Sequence, residues 1–404
     1  MKLTFSYANL LADLQTVASI LSDAGTNDDI KNIIFRVKED NKVEMIGITP
    51  VLGYRKTCST EEVTVLKEEG DSEFISVKIK ELIDFLNTYK SLRRTTVEEV
   101  SLEVVRDKVK CTVVEKLISD DEFEEPHTTF SCWMFSLITV KPNMMPYINL
   151  EVPEDIHNIH ISNFSIHTKQ LSNILQPGTN AFSKLFFSKD YVFAQSNAFT
   201  SFMRNQTTSE TDVFTDVSLS YRTVNFIEKV ASSTTSEDTV GVAKTPERIF
   251  IVTNNDEVIY TTYDNRIIPF TAYTDAFKKE NCVIVNRFSL REAIKRFMLK
   301  NDSISVVIKP AEGVIEMKNS LFSQDIEITN KKGFEGVEEI KLSVMPAILN
   351  NGIICDDICE QVGTEDLCLY YCMSAKNIPI LCISDLLKYE DSNLWFTYMN
   401  TKFN

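Results

Sequence analysis

Glycine and proline are scarce, eleven of each in 404 residues. That scarcity excludes collagen-like and low-complexity chains and leaves little material for long disordered linkers. No apolar run approaches the ~18–20 residues that span a bilayer, so no membrane-spanning helix and no membrane partner is expected. The opening Met1-Lys2-Leu3-Thr4-Phe5-Ser6-Tyr7 lacks the continuous apolar segment of a signal peptide, and the expected compartment is the cytoplasm. Histidine is rare too. The four residues at 127, 157, 160 and 167 are too few and too clustered to furnish a general base. No Gly-x-Gly-x-x-Gly, Walker A loop, Gly-x-Ser-x-Gly or His-Glu-x-x-His occurs. The expectation is a protein that is not an enzyme and needs no cofactor.

Cysteine is present but does not read as a framework. Nine residues, an odd number scattered from Cys58 to Cys382, fit reduced core thiols better than disulfides. Cys355-x3-Cys359 and Cys368-x3-Cys372 superficially suggest zinc. Cys368 and Cys372, however, share one face of a strand-like run, which favours buried thiols, so no metal is expected. The run Asp120-Asp121-Glu122-Glu124-Glu125 lacks the Gly and Asn spacing of a cation loop and reads as solvated. With cytosolic synthesis, the Asn-x-Ser/Thr matches at Asn163, Asn205 and Asn301 carry no glycosylation meaning.

What is present is periodicity. Phe5-Ser6 leads into apolar residues at helical spacing, Leu10, Leu11, Leu14, Val17, Ile20 and Leu21, with the serine placed to cap the helix. The same strand, Ser and amphipathic helix recur at Phe164-Ser165 and at Phe288-Ser289. A second strand–helix unit follows each: Phe74–Leu86, Val217–Ile227 and Ile340–Leu349, the last with Pro346 in its first turn. Alternating runs come after these helices, with turns at Asp107-Lys108 and Asn254-Asn255-Asp256 and strands over 367–372 and 378–383. Each third of the chain therefore reads as strand–helix–strands–strand–helix–strands. The fold class is α+β with antiparallel sheets, in three similar domains over 1–150, 151–278 and 279–404.

Forty-two basic against 58 acidic residues give a net charge of −16, which is no basic nucleic-acid coat. The positive charges nevertheless gather on the repeated helices. Arg291, Lys295, Arg296 and Lys300 lie on one, Lys78, Lys80, Lys90, Arg93 and Arg94 on or beside another, and Lys169, Arg222 and Lys229 in the middle third. For any single helix a solvated face explains this. Across repeated helices in an acidic body, the pattern points to one surface for phosphates.

In this arrangement the chain resembles the bacterial-type DNA polymerase sliding clamp family (beta clamp, DNA polymerase III beta subunit). Met1–Ser6 with Leu10-Leu11 and Leu14–Val17 looks like that family's first strand and helix. Phe135–Val140 with Pro146-Tyr147-Ile148, and Ile259–Pro269, resemble its two domain junctions. The resemblance implies three clamp domains forming half of a ring, with helices inside and sheets outside, and a head-to-tail homodimer encircling double-stranded DNA without reading sequence. It also implies a replicative DNA polymerase and a clamp loader bound through short peptides. The peptide pocket would be formed by Phe199, Thr200, Pro269, Tyr398, Met399, Asn400 and Lys402. The chain departs from the family at Ser196-Asn197-Ala198-Phe199-Thr200 and in its last residues, a drift that looks like a phage-encoded clamp, active in the host cytoplasm. Two other readings stand beside it: a diverged nucleotide-processing enzyme, and a scaffold protein with no nucleic-acid role.

Overall fold

The structure is a computed structural model. It describes residues 1–21, 31–90, 95–117, 128–164, 184–195, 199–232, 239–253, 256–265, 281–299, 303–335, 338–344, 365–373, 379–384 and 394–400. The fold is α+β, with antiparallel sheets and few helices among the described residues. The chain divides into two compact units, one of residues 1–161 and 226–262, the other of residues 162–225 and 263–404.

The first unit holds two sheets. A five-stranded sheet runs in the order Val63–Leu66, Lys2–Ser6, Thr95–Val105, Lys108–Leu117, Thr128–Ser136. An eight-stranded sheet runs His157–His160, Thr239–Lys244, Arg248–Val252, Glu257–Thr262, Leu52–Cys58, Val43–Ile48, Asn32–Val37, Phe74–Lys78. The helix Tyr7–Leu21 buries Leu10, Leu11, Leu14, Val17, Ile20 and Leu21, the six residues that its period selects. It packs on the strand Val43–Ile48, where Gly47 leaves room for Val17: a Cβ there would lie 2.4 Å from Val17 Cγ1. The helix Ile79–Asn87 buries Ile79, Leu82 and Leu86, each burial contributing about 1.5–3 kcal/mol. Buried Glu44 is compensated by Lys38 at 2.8 Å, with Arg36 and Arg55 each at 3.7 Å.

The second unit carries a twelve-stranded sheet in the order Val217–Ser220, Lys184–Phe187, Tyr191–Gln195, Phe199–Arg204, Leu394–Asn400, Pro379–Ser384, Asp366–Met373, Asn281–Asn286, Ser323–Lys332, Val314–Lys318, Ile304–Lys309, Ile340–Val344. The helix Arg287–Phe297 buries Leu290, Ala293, Ile294 and Phe297, and Phe297 stacks on Phe322 with ring centroids 4.1 Å apart. Its cap is Asn286, whose Oδ1 accepts from the amides of Phe288 and Ser289. Ser289 therefore sits inside the first turn and is not the cap that the Phe-Ser signature implied. The helix ends at Phe297, with Met298 as its C-cap. The Tyr221–Ser232 helix is opened by Ser220, whose Oγ accepts from the Thr223 amide.

One pairing scheme occurs three times. The opening strand of each repeat pairs with a strand from the second half of the same repeat: Lys2–Ser6 with Thr95–Val105, His157–His160 with Thr239–Lys244, Asn281–Asn286 with Asp366–Met373. The strand that opens the second half of each repeat pairs with a strand from its first half: Phe74–Lys78 with Asn32–Val37, Val217–Ser220 with Lys184–Phe187, Ile340–Val344 with Ile304–Lys309.

Among the described cysteines, Cys58, Cys111, Cys282 and Cys368 are buried and Cys132 is exposed. Burial pushes the Cys58 and Cys111 thiols from 9.0 up to about 12. The folded state thus holds protons that the unfolded chain releases above its thiol pKa. Stability is expected to be unaffected by these groups below pH 9.0 and to fall as pH rises towards 12. Denaturant midpoints between pH 8 and 11 would check this, and a flat profile would contradict it. Iodoacetamide at pH 8 should label Cys132 and spare Cys58 and Cys111.

Candidate nucleic-acid interface and peptide site

Of the twelve cations expected to meet phosphate, Arg93, Arg94, Lys169 and Lys300 lie outside the described residues. The others fall on or beside three helices, which differ in charge. The Ile79–Asn87 helix carries Lys80 against Glu81 and Asp84, one positive minus two negative, for −1. Lys80 is paired with Asp84, and Lys78, the exposed residue preceding this helix, lies 3.6 Å from Glu81. Lys90 is exposed just beyond it. The Tyr221–Ser232 helix carries Arg222 and Lys229 against Glu228, for +1, with Lys229 exposed in the last turn.

The Arg287–Phe297 helix stands apart. It carries Arg287, Arg291, Lys295 and Arg296 against Glu292, for +3 in a chain of −16. Lys295 and Arg296 are exposed in its last turn, where the helix dipole favours cations. Lys295 lies 3.5 Å from Glu292, and Arg296 donates to Gln324 Oε1 at 3.1 Å. Arg291 is half-buried. Sequence reasoning left out Arg287, which is buried with its guanidinium 4.3 Å from the centre of the Phe288 ring and serves packing. By contrast, the Tyr7–Leu21 helix has no basic residue; its Asp13 accepts from Lys56 at 2.9 Å, and burial raises the Asp13 pKa.

Four of the peptide-site residues are brought together by strand pairing. Phe199 is opposite Met399 and Thr200 opposite Tyr398, so residues from distant parts of the sequence share one seam of the twelve-stranded sheet. Asn400 is opposite Ile380 on the next strand. Pro269 and Lys402 lie outside the described residues. So do Cys355, Cys359 and the acidic run at 120–125, while Cys368 is buried in its strand. No cluster of three or more His, Cys, Asp or Glu able to hold a metal occurs among the described residues. No described helix is long and apolar enough to cross a membrane.

No family model matches the sequence, and no curated protein matches it. Solved structures do match in fold. The DNA polymerase sliding clamp from Bacillus subtilis superimposes with a TM-score of 0.68 at 14% identity, covering 100% of this chain and 99% of that one. A putative DNA polymerase III beta subunit from Eubacterium rectale gives 0.68 at 15% identity, with 100% and 99% covered. The Helicobacter pylori beta clamp bound to a DNA ligase peptide gives 0.68 at 13% identity, with both chains covered completely. From the first strand to the last, the chain has the fold of the bacterial DNA polymerase sliding clamps.

Proposed function

We propose that the protein is a DNA sliding clamp, which encircles duplex DNA and tethers a replicative polymerase for processive synthesis. The observation that carries this reading is the fold match, which spans the whole of this chain and of the clamps it resembles at 12–15% identity. Function then follows from topology. A closed ring leaves DNA slowly even when each contact is weak, so cations can meet phosphates without holding one position and without reading bases. No bond is made or broken, in keeping with the missing catalytic motifs.

In this reading the chain comprises three clamp units, 1–150, 151–278 and 279–404, and two copies close head to tail into a ring of six. Each of the three units carries the same pairing scheme, and head-to-tail association closes a ring when the rotation permits. Phosphate contacts concentrate on the Arg287–Phe297 helix, with Lys78, Lys80, Lys90, Arg93, Arg94, Lys169, Arg222, Lys229 and Lys300 adding weaker ones. The polymerase and a clamp loader dock through short, partly apolar peptides at the seam of Phe199 and Thr200 with Tyr398, Met399 and Asn400, flanked by Pro269 and Lys402. The protein acts in the cytoplasm, that of a host if it is phage-encoded.

Retention on circular DNA tests the reading. Protein loaded on a nicked circle should survive gel filtration at moderate salt and be lost within minutes once a restriction enzyme linearises the circle. Equal retention on circles and linear fragments would overturn it.

A further inference from the structure

Two of the three repeats carry an extra short strand beside the strand that opens them. In the first it is Val63–Leu66 on Lys2–Ser6, and in the third it is residues 328–332 on Asn281–Asn286. In the middle repeat the segment after Phe199–Arg204 forms the 3-10 helix Gln206–Ser209 instead. Among the described residues, Val63–Leu66 pairs on one side only and is an end strand of the five-stranded sheet.

The two extra strands can be aligned through their partners, because Leu3 and Val283 each stand four residues before the first helix of their repeat. Leu3 faces Val65 and Val283 faces Lys331; one step away, Lys2 faces Leu66 and Cys282 faces Lys332. Thr64 and Asn330 correspond in the same way. Lys331 and Lys332 are exposed, and lysine is the residue with which soluble proteins keep a sheet edge from pairing. At the same two positions the first repeat has valine and leucine, and Leu66 is 62% exposed. The run Val-Thr-Val-Leu is strand-forming and has no charge, proline or glycine to blunt it.

Charge surrounds this edge. Residues 59–73 hold six acidic side chains against Lys67, one minus six, for −5. Glu61, Glu68, Glu69 and Glu73 are exposed and lie on both flanks of the strand. Where the strand begins, a cleft of about 460 Å3 is lined by Asp13, Glu62 and Asp256 against Lys56, one minus three, for −2. Lys56 is itself occupied, with Nζ donating to both Asp13 oxygens at 2.9 Å. A second copy of the same edge would bring like charge to like charge, which disfavours self-pairing.

We propose that Val63–Leu66 is a docking edge for another protein, which adds an extended segment antiparallel to it, apolar at the centre and basic at both ends. Backbone hydrogen bonds to the open edge give such a strand its affinity, and alternate side chains give it selectivity. Its apolar residues continue the row of buried Val63 and half-buried Val65, while its cations meet the flanking carboxylates. The edge uses none of the residues assigned to DNA or to the polymerase peptide.

The probe is a fluorescent octapeptide, Lys-Arg-Val-Thr-Val-Thr-Arg-Lys, added to the full chain and followed by anisotropy. Saturable binding is expected, and its loss when the four terminal cations are replaced by glutamate. Leu66→Lys copies Lys332 at an exposed position and should weaken binding roughly tenfold or more, the order of one buried leucine. N-methylation separates strand pairing from simple charge attraction. Alternate residues turn their N–H groups to the same side, so methylating the two valine amides blocks one edge of the peptide and methylating the two threonine amides blocks the other. One methylated peptide should bind like the parent and the other should fail. Equal binding of the two, equal binding by Leu66→Lys and the natural protein, or no saturable binding would overturn the docking edge. A solution mass that rises with concentration in the natural protein but not in Leu66→Lys would overturn the foreign partner in favour of a second copy. Retention of Leu66→Lys on nicked circles should be unchanged, so the clamp reading stands or falls separately.

Discussion

Reversing three charges on one helix, Arg291→Glu with Lys295→Glu and Arg296→Glu, is expected to shorten retention on circular DNA and flatten its salt dependence. Each phosphate contact contributes a slope of about 0.9 in log affinity against log salt, roughly 3.5-fold between 50 and 200 mM. Three contacts together make roughly a 40-fold difference in how far affinity falls across that range. The loss should be the same for DNAs of different sequence, because backbone contacts carry no base information. The fold should survive, since Leu290, Ala293, Ile294 and Phe297 anchor the helix from its buried face. The new like-charge neighbour of Glu292 costs only about 0.2–0.5 kcal/mol. Because Arg296 bonds Gln324, the variant's solution mass belongs beside the retention measurement. Unchanged retention with an unchanged salt slope would remove this helix from the DNA surface. The same reversal at Lys80, already paired with Asp84, should do far less.

Local order was legible where one period decides burial. All six apolar residues read from the first helix are buried, and the strands over 367–372 and 378–383 lie where alternation put them. Ends were less legible, because several residues compete to cap a helix. Asn286 outcompetes Ser289, three residues later, and the Phe-Ser signature marks a position near the start without marking the cap. The Arg106–Asp107 turn likewise begins one residue before the one read from sequence, with Arg106 at φ 59°.

Charge was legible as composition and illegible as pairing. Sequence spacing shows that Lys80 and Asp84 can meet, but not that Arg296 will spend its guanidinium on Gln324, 28 residues away. Nor could spacing distinguish Arg287, buried on Phe288, from the exposed cations beside it. The peptide seam was named from resemblance alone. That Phe199 lies opposite Met399, and Thr200 opposite Tyr398, is a property of strand order, which depends on contacts between residues far apart in the chain. A sheet edge escaped for the same reason. Nothing in residues 128–136 marks an edge, and among the described residues only the sheet order shows Thr128–Ser136 paired on one side alone.

Gly53→Ala is expected to be among the most damaging single substitutions in the first unit. A Cβ at this position would lie 2.1 Å from both Cε2 and Cζ of Tyr260, directly opposite on the paired strand. The ring cannot yield cheaply. It is buried, it packs 6.3 Å from the Phe250 ring, and its hydroxyl donates to the Tyr147 carbonyl at 3.0 Å. Forcing it aside adds an overpacking cost of about 1–3 kcal/mol, and stranding the hydroxyl adds about 1–3 kcal/mol more. The expected loss is therefore about 2–6 kcal/mol, read as a lower urea midpoint with little change in slope. If ring displacement is the cause, Tyr260→Ala should cost stability alone yet cancel much of the Gly53→Ala penalty in the double variant, a coupling well above the 0.3–0.5 kcal/mol scatter of about-additive pairs. Additive losses would place the strain in the backbone. The corresponding pair in the second unit is Thr200 opposite Tyr398, where the strand already carries a side chain in place of glycine. The two seams thus share a register and a tyrosine, and the one with Thr200 in place of the glycine is the one proposed for partner peptides.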